Sequence, residues 1–321
     1  MSTMGFVSML RSHRNLLALV NSFQDGLFHD MLSFKPLKRI RLHCMPVLEM
    51  IYYEMPVIDA VARPWLAVHG TDRLQRLAAH LDVAYQILLL VYGAYTGDVA
   101  VLGTFDVAAP HFVVYVDGVS DVPVAFPFLD IAVIGGSLAA VAHLVQHDVP
   151  DSSLRSAMEY AAANGHLAIV EALARRYPST ASLALPLLHT AKGNHVDVVD
   201  YFLPRCAPFE QSLALNAAVR RGAVHTTRRL LEVIEFFHGD EWHLESPAQK
   251  GQLDVLRLVL DNDIYDLGHR SWMVERCVWS AVCFQQLDTV AWLLSLNCVC
   301  ATSSHISRAG SDGKLAMLEF L

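Results

Sequence analysis

Histidine is the side chain that most invites a chemical reading of this sequence. Sixteen are present, and His143 and His147 stand four apart in an apolar stretch that reads as a helix, a spacing at which two imidazoles can share one ion. No HExxH pattern accompanies them and no third ligand is specified. His147 also falls at a helix end, where positive charge offsets the carbonyl dipole, so a structural role is expected. Six cysteines, at 44, 206, 277, 283, 298 and 300, lack zinc-ribbon or redox spacing, and Cys298-Val-Cys300 is too close for the usual clamp. Met1 to Val20 has no small-residue cleavage pattern and does not read as an export signal. The thiols are therefore expected to be idle in a reducing cytoplasm, with the nucleus not excluded.

Phosphate and nucleophile chemistry are weaker still. Gly313-Lys314 has Arg308 where a P-loop requires its first Gly and Leu315 where it requires Ser or Thr. Gly135-Gly136-Ser137 lacks the Gly-x-Ser-x-Gly of a nucleophile elbow. The expectation is a protein without catalysis, cofactor or metal.

The elements that would position any site are set by a recurring phrase: small residue, spacer, Gly, spacer, Leu, then an apolar helix, as in Ala161 to Val170. Anchored on the Gly, copies fall at Gly97, Gly136, Gly165, Asn194, Gly222, Gly251, Gln285 and Gly313, with steps of 39, 29, 29, 28, 29, 34 and 28 residues. Such a period means stacked supersecondary units. Four residues before the anchor stands a mostly small residue, which lets helices approach. Apolar residues at two, five and eight after it, such as Leu167, Val170 and Leu173, are expected to share one helical face. The anchor reads as the left-handed residue that closes a first helix; Gln285 is the misfit. On the same reasoning Gly165→Val should strain the turn, whereas Gly165→Asn should be milder.

This pattern resembles the ankyrin repeat, whose helix pairs carry small-Ala-x-x-Gly-His-Leu-x-x-Val-x-x-Leu. The resemblance spans roughly Leu89 to Leu321 and is best from Ser156 to Leu173 and from Leu185 to Leu203, where Pro186-Leu187 and His189 match part of the family's Thr-Pro-Leu-His turn. His166 and His195 occupy the place of its loop His. Most units lack Thr-Pro-Leu-His, and their period is short of the family's usual one of about 33 residues. The resemblance implies an all-α helical-repeat solenoid over 89–321 with trimmed fingers, preceded by an irregular cap or degenerate helical region over 1–88.

In that family the two residues before the anchor face a concave binding groove. The resemblance therefore implies partner-binding positions at Asn164, Lys192, Arg220, Arg221, Gln249 and Lys250. Neighbouring helices lie about 10 Å apart, so the cations would form a ladder suited to an acidic or phosphorylated segment. Helix-end cations also offset the dipole by about 0.3–1 kcal/mol each, the competing reading of the same residues.

Composition bounds the partner. Twenty-four basic and 32 acidic residues give a net charge of −8, which disfavours nucleic acid. No uninterrupted apolar run is long enough for a membrane span, and Ile87 to Tyr95 reads as a buried helix. In the N-terminal region Thr71 reads as a cap before Leu74, Leu77 and Leu81. That region is expected to cap the solenoid; an F-box-like adaptor is the alternative. The long first step holds a β-prone stretch, His111 to Val116, before the turn dipeptide Asp117-Gly118; finger and loop both fit segment 106–128. At the other end Leu318 and Leu321 fall on packing positions with no unit beyond them, implying a frayed end, a self-association edge or a cut from a longer protein. The function expected is a non-catalytic protein-interaction scaffold; the alternative is a substrate-recognition adaptor of ubiquitin-ligase type docked through residues 1–88.

Overall fold

A computed structural model describes residues 27–40, 47–105, 113–114, 124–125, 128–147, 149–176, 182–234, 244–262 and 267–321. Described elements are helical apart from one antiparallel pairing of two-residue strands. The chain divides into two compact units, Met1–Ala157 and Met158–Leu321, and no helix among the described residues is long and apolar enough to cross a membrane.

In the first unit α1 (Leu27–Leu32) leads through a 3₁₀ turn at Lys35–Arg39 to α2 (Val47–Ala78). Gly70, at φ 71°, breaks α2 into two limbs; the second, which starts beside Thr71, buries Leu74 and Leu77, while Leu81, expected on the same helical face, is buried past the helix end. Arg73 Nε donates to Asp30 Oδ2 at 2.6 Å and ties that limb to α1. Phe34 and Trp65 meet at 5.3 Å between ring centroids, both nearly fully buried. Next come α3 (Val83–Thr96), buried from Ile87 to Ala94, and α4 (Val99–Leu102). Strands β1 (Val113–Val114) and β2 (Val124–Ala125) follow, then α5 (Phe128–Ile134) and α6 (Leu138–Leu144). Val114 pairs with Val124 and Val113 with Ala125. The turn dipeptide Asp117-Gly118 lies outside the described residues.

Helix α7 (Asp151–Ala163) carries the chain into the second unit. There α8 (Leu167–Ala174), α9 (Ala184–Gly193), α10 (Val196–Phe202), α11 (Pro208–Arg221), α12 (Val224–Val233), α13 (Glu245–Gln249), α14 (Leu253–Leu260), α15 (Leu267–Cys283), α16 (Leu287–Ser295), α17 (Ser303–Ser311) and α18 (Leu315–Phe320) form helix-turn-helix pairs. First helices pack in sequence order, α9 on α11, α11 on α13, α13 on α15 and α15 on α17; second helices α8, α10, α12 and α14 do likewise.

One turn joins every pair of the second unit. The residue after the anchor donates its N–H to the carbonyl four before the anchor, as in His166 N to Ala161 O at 2.9 Å, Ala223 N to Ala218 O at 3.0 Å and Lys314 N to Ala309 O at 3.0 Å. This is the Schellman closure, which requires a left-handed residue between. The anchors comply, Gly165 at φ 72° and Asn194 at φ 64° among them, and Gln285 at φ 60° complies too. The expected misfit is thus a full copy, its conformation imposed by the helices on either side.

The buried face of the second helices differs by one position from expectation. At 100° per residue, positions four, five and eight after the anchor lie within about 100° of arc, while position two lies beyond it. Accordingly Ile169, Val170 and Leu173 are buried, as are Val255, Leu256 and Val259, whereas Leu138, Leu287 and Leu315 at position two are exposed. Position two lies at the rim, and position four joins the core. Small residues four before the anchor, Ala161, Ala218, Ala281 and Ala309, are fully buried; Thr190 there donates to Ala162 O at 3.3 Å and Pro186 O at 2.9 Å.

At four anchors the residue that follows also reaches backwards. His195 Nε2 lies 3.0 Å from Ala163 O, Gln252 Nε2 donates to Arg221 O at 3.2 Å, Gln286 Nε2 to Gln249 O at 3.1 Å, and Lys314 Nζ to the carbonyl of Cys283. Each bond satisfies a helix-end carbonyl of the preceding pair. His195, Gln252 and Gln286 lie over the preceding anchor glycine, so a Cβ added at Gly165 would stand 2.6 Å from Cγ and 2.8 Å from Cε1 of His195. Gly165→Asn is therefore not the mild change its backbone class implies. Asn194 escapes that collision because the residue following the next anchor is Ala223, and its Oδ1 accepts from Thr226 N at 3.0 Å.

Candidate partner-binding surface

The C-terminal ends of α9, α11 and α13 lie side by side, and each carries a negative dipole end that favours basic residues. Between them runs a groove of about 660 Å³, to which α9 contributes Leu188 and Lys192, α11 Phe209, Leu213, Asn216, Arg220 and Arg221, and the α13 stretch Ser246 and Lys250. Of the described residues lining it, none is acidic. Lys192, Arg220, Arg221 and Lys250 are exposed, so the four cations named from sequence share one concavity.

Their roles are not equal. Lys250 Nζ donates to Arg220 O at 3.1 Å, and Ser246 Oγ to the same oxygen at 3.0 Å, so Lys250 caps α11 and its charge is fixed beside the groove. Lys192, Arg220 and Arg221 have no side-chain partner among the described residues, which leaves two guanidinium forks available for carboxylate or phosphate oxygens. Two other positions fall outside. Asn164 is exposed and donates from Nδ2 to Tyr160 O at 2.8 Å within its own turn. Gln249 is half-buried, with its carbonyl taken by Gln286, and neither lines the groove. Both residues of the α11 pair line the groove but Asn164 and Gln249 do not, so the two-residue rule overcounts.

Sequence reasoning missed the floor. Phe209 is 60% exposed and presents an aromatic face at the groove. Asn216 is only 7% exposed, and its Oδ1 finds no hydrogen-bond partner among the described residues. An unpaired buried amide costs about 1–3 kcal/mol unless a ligand satisfies it. A signal existed: Phe209, Leu213 and Asn216 stand thirteen, nine and six residues before Gly222, one face of α11.

Other motifs resolve into structural roles. Ser137 Oγ accepts from Ala140 N at 3.2 Å as the cap of α6. Lys314 pairs with Asp312 at 2.8 Å besides its backbone bond. The rings of His143 and His147 lie 5.6 Å apart edge to face, and no group of three or more His, Cys, Asp or Glu among the described residues could hold a metal ion. Cys206, Cys277, Cys283, Cys298 and Cys300 are free; burial pushes the Cys206 and Cys277 thiols up to about 12, and Cys44 lies outside the described residues. Compared with protein-family models and with curated proteins, the chain has no match in either.

Proposed function

We propose that this chain is a non-catalytic interaction scaffold, a helical-repeat solenoid of the ankyrin type acting in the cytoplasm or nucleus. Its second unit binds an acidic or phosphorylated segment of a partner protein in the groove of α9, α11 and α13. The observation that carries this is the convergence of Lys192, Arg220 and Arg221, none held by a carboxylate among the described residues, above Phe209 and the unsatisfied amide of Asn216. Cations supply attraction and the aromatic face supplies burial, while the amide can pair with an extended backbone. Fluorescence anisotropy with a labelled Glu-rich peptide tests it. Arg220→Glu with Arg221→Glu should weaken binding several-fold at low salt while thermal stability stays nearly constant, because exposed charges contribute little to folding. Affinity indifferent to both the double reversal and salt would move the binding surface elsewhere.

A second reading rests on the first unit. Leu48, Tyr52 and Tyr53 are 55%, 75% and 61% exposed on α2, and Tyr52 lines a cleft of about 520 Å³ with Ile51, Met55 and Tyr95. Apolar exposure of this kind suits the adaptor function, in which the N-terminal region docks a larger assembly of ubiquitin-ligase type. Capture of such an assembly by the full chain, lost on Tyr52→Glu with Tyr53→Glu and retained on the Arg220 and Arg221 reversal, distinguishes it.

A further inference from the structure

The basic groove has a counterpart on the same face. Counting back from the left-handed residue of each turn, Phe209, Leu213 and Asn216 hold the same three offsets before Gly222 that Trp272, Arg276 and Trp279 hold before Gln285. These last three line a second cavity of about 360 Å³ with Glu245, Glu275 and His305. Equivalent positions on successive first helices point the same way. Since α11 packs on α13 and α13 on α15, a chain lying across the first cavity meets the second two helices further on.

The chemistry at the second cavity is inverted. Trp272 and Trp279 are 38% and 41% exposed. Arg276 is held by Glu245, and its guanidinium sits 5.0 Å from the centroid of Trp272. The site thus already holds one arginine in the manner that a ligand cation would adopt. Glu275 is exposed and has no hydrogen-bond or ion-pair partner among the described residues. It stands one turn from Trp279, whose ring lies 5.8 Å from that of His305. Burial lowers the pKa of His305 and keeps it uncharged near neutrality, so two carboxylates face one arginine. A carboxylate beside an exposed indole is a receptor for an arginine or lysine side chain.

We propose that the occupant of this face is a charge-bipolar extended segment, acidic where it crosses α11 and cationic where it crosses α15. The inference rests on the groove reading above. Two interhelix steps of about 10 Å make about 20 Å, which an extended chain at about 3.3 Å per residue spans in roughly six residues.

Three labelled peptides test this on the full chain by anisotropy: a Glu run alone, the Glu run with an Arg pair about six residues on, and the Glu run with the Arg pair adjoining it. The spaced bipolar peptide should bind roughly three- to tenfold tighter than the Glu run, the gain a cation–π contact supports, and the adjoining peptide should show no such gain. Glu275→Lys, or the milder Glu275→Gln, should remove the gain and leave the Glu-run affinity unchanged, whereas reversing Arg220 and Arg221 should weaken all three. Equal affinities for the first two peptides, both sensitive to Arg220 and Arg221, overturn the bipolar occupant and leave the basic groove standing. Equal gains from both Arg placements overturn the spacing and with it the site on α15. Absence of binding by any peptide overturns both readings together.

Discussion

Replacing Gly165 by Asn tests how the turns are built. On backbone grounds the change is small, because Asn adopts the left-handed conformation more readily than most residues, as Asn194 does at φ 64°. The surroundings decide otherwise: any Cβ at 165 meets the ring of His195 at 2.6–2.8 Å, and relieving the collision displaces the ring from Ala163 O. Overpacking costs about 1–3 kcal/mol and a lost hydrogen bond about 1 kcal/mol, so Gly165→Asn should destabilise by about 2–4 kcal/mol. His195→Ala alone should cost about 1 kcal/mol through the same bond. In the double variant the side chain introduced at position 165 has room and only the lost bond remains, so the total should be about 1 kcal/mol, a coupling of about 2–4 kcal/mol. Urea unfolding of the four proteins, followed by circular dichroism and fitted where the transition is single, measures it. Additive effects, or a Gly165→Asn loss below about 0.5 kcal/mol, would refute the packing account, since unrelated sites add within that margin.

Four further outcomes follow from features already described. Cys298 and Cys300, both exposed, should alkylate rapidly in the native protein, while Cys206 and Cys277, buried with thiols at about 12, should label only on unfolding; mass spectrometry of timed iodoacetamide reactions checks this. Burial depresses the pKa of His305 against the smaller opposing pull of Glu275, and His305 Nδ1 accepts from Thr302 N at 3.1 Å. The unfolded state therefore binds more protons below the ordinary value of 6.5, so stability should fall as pH drops through that range, and His305→Gln should flatten the slope. Helix α18 buries only Met317 beyond nine-tenths, so its amides should exchange well before those of α11. Raising salt from about 0.1 to 1 M shortens screening from about 10 to 3 Å and should weaken the acidic peptide steadily.

The turns were legible because a left-handed residue is a property of a single position, and Gly or Asn announces it. Gln285 and Asn297, at φ 60° and 56°, were not anticipated, since flanking structure imposes their conformation. The break at Gly70 was likewise visible only through its consequence, the buried Leu74, Leu77 and Leu81. The cations of the groove stood out because the resemblance assigns the two residues before each anchor to a binding groove. Its floor did not, because the position six before each anchor changes character from Leu188 to Asn216, Glu245 and Trp279. A repeat keeps its packing residues alike and varies those that face outward, so periodicity finds the buried faces and is silent on the exposed ones.

The backward-reaching side chains also give the second unit a direction in time. His195, Gln252, Gln286 and Lys314 each bond a carbonyl 31 to 37 residues earlier in the chain, from Ala163 to Cys283. During synthesis from the N-terminus, each new helix pair thus finds its acceptors already made and can dock as soon as it leaves the ribosome. The junction at Asn194 keeps the same order with the side chain on the earlier pair, its Oδ1 already in place as an acceptor when the N–H of Thr226 emerges. Vectorial assembly of this unit can therefore advance pair by pair, each outer edge staying open only until the next pair has emerged.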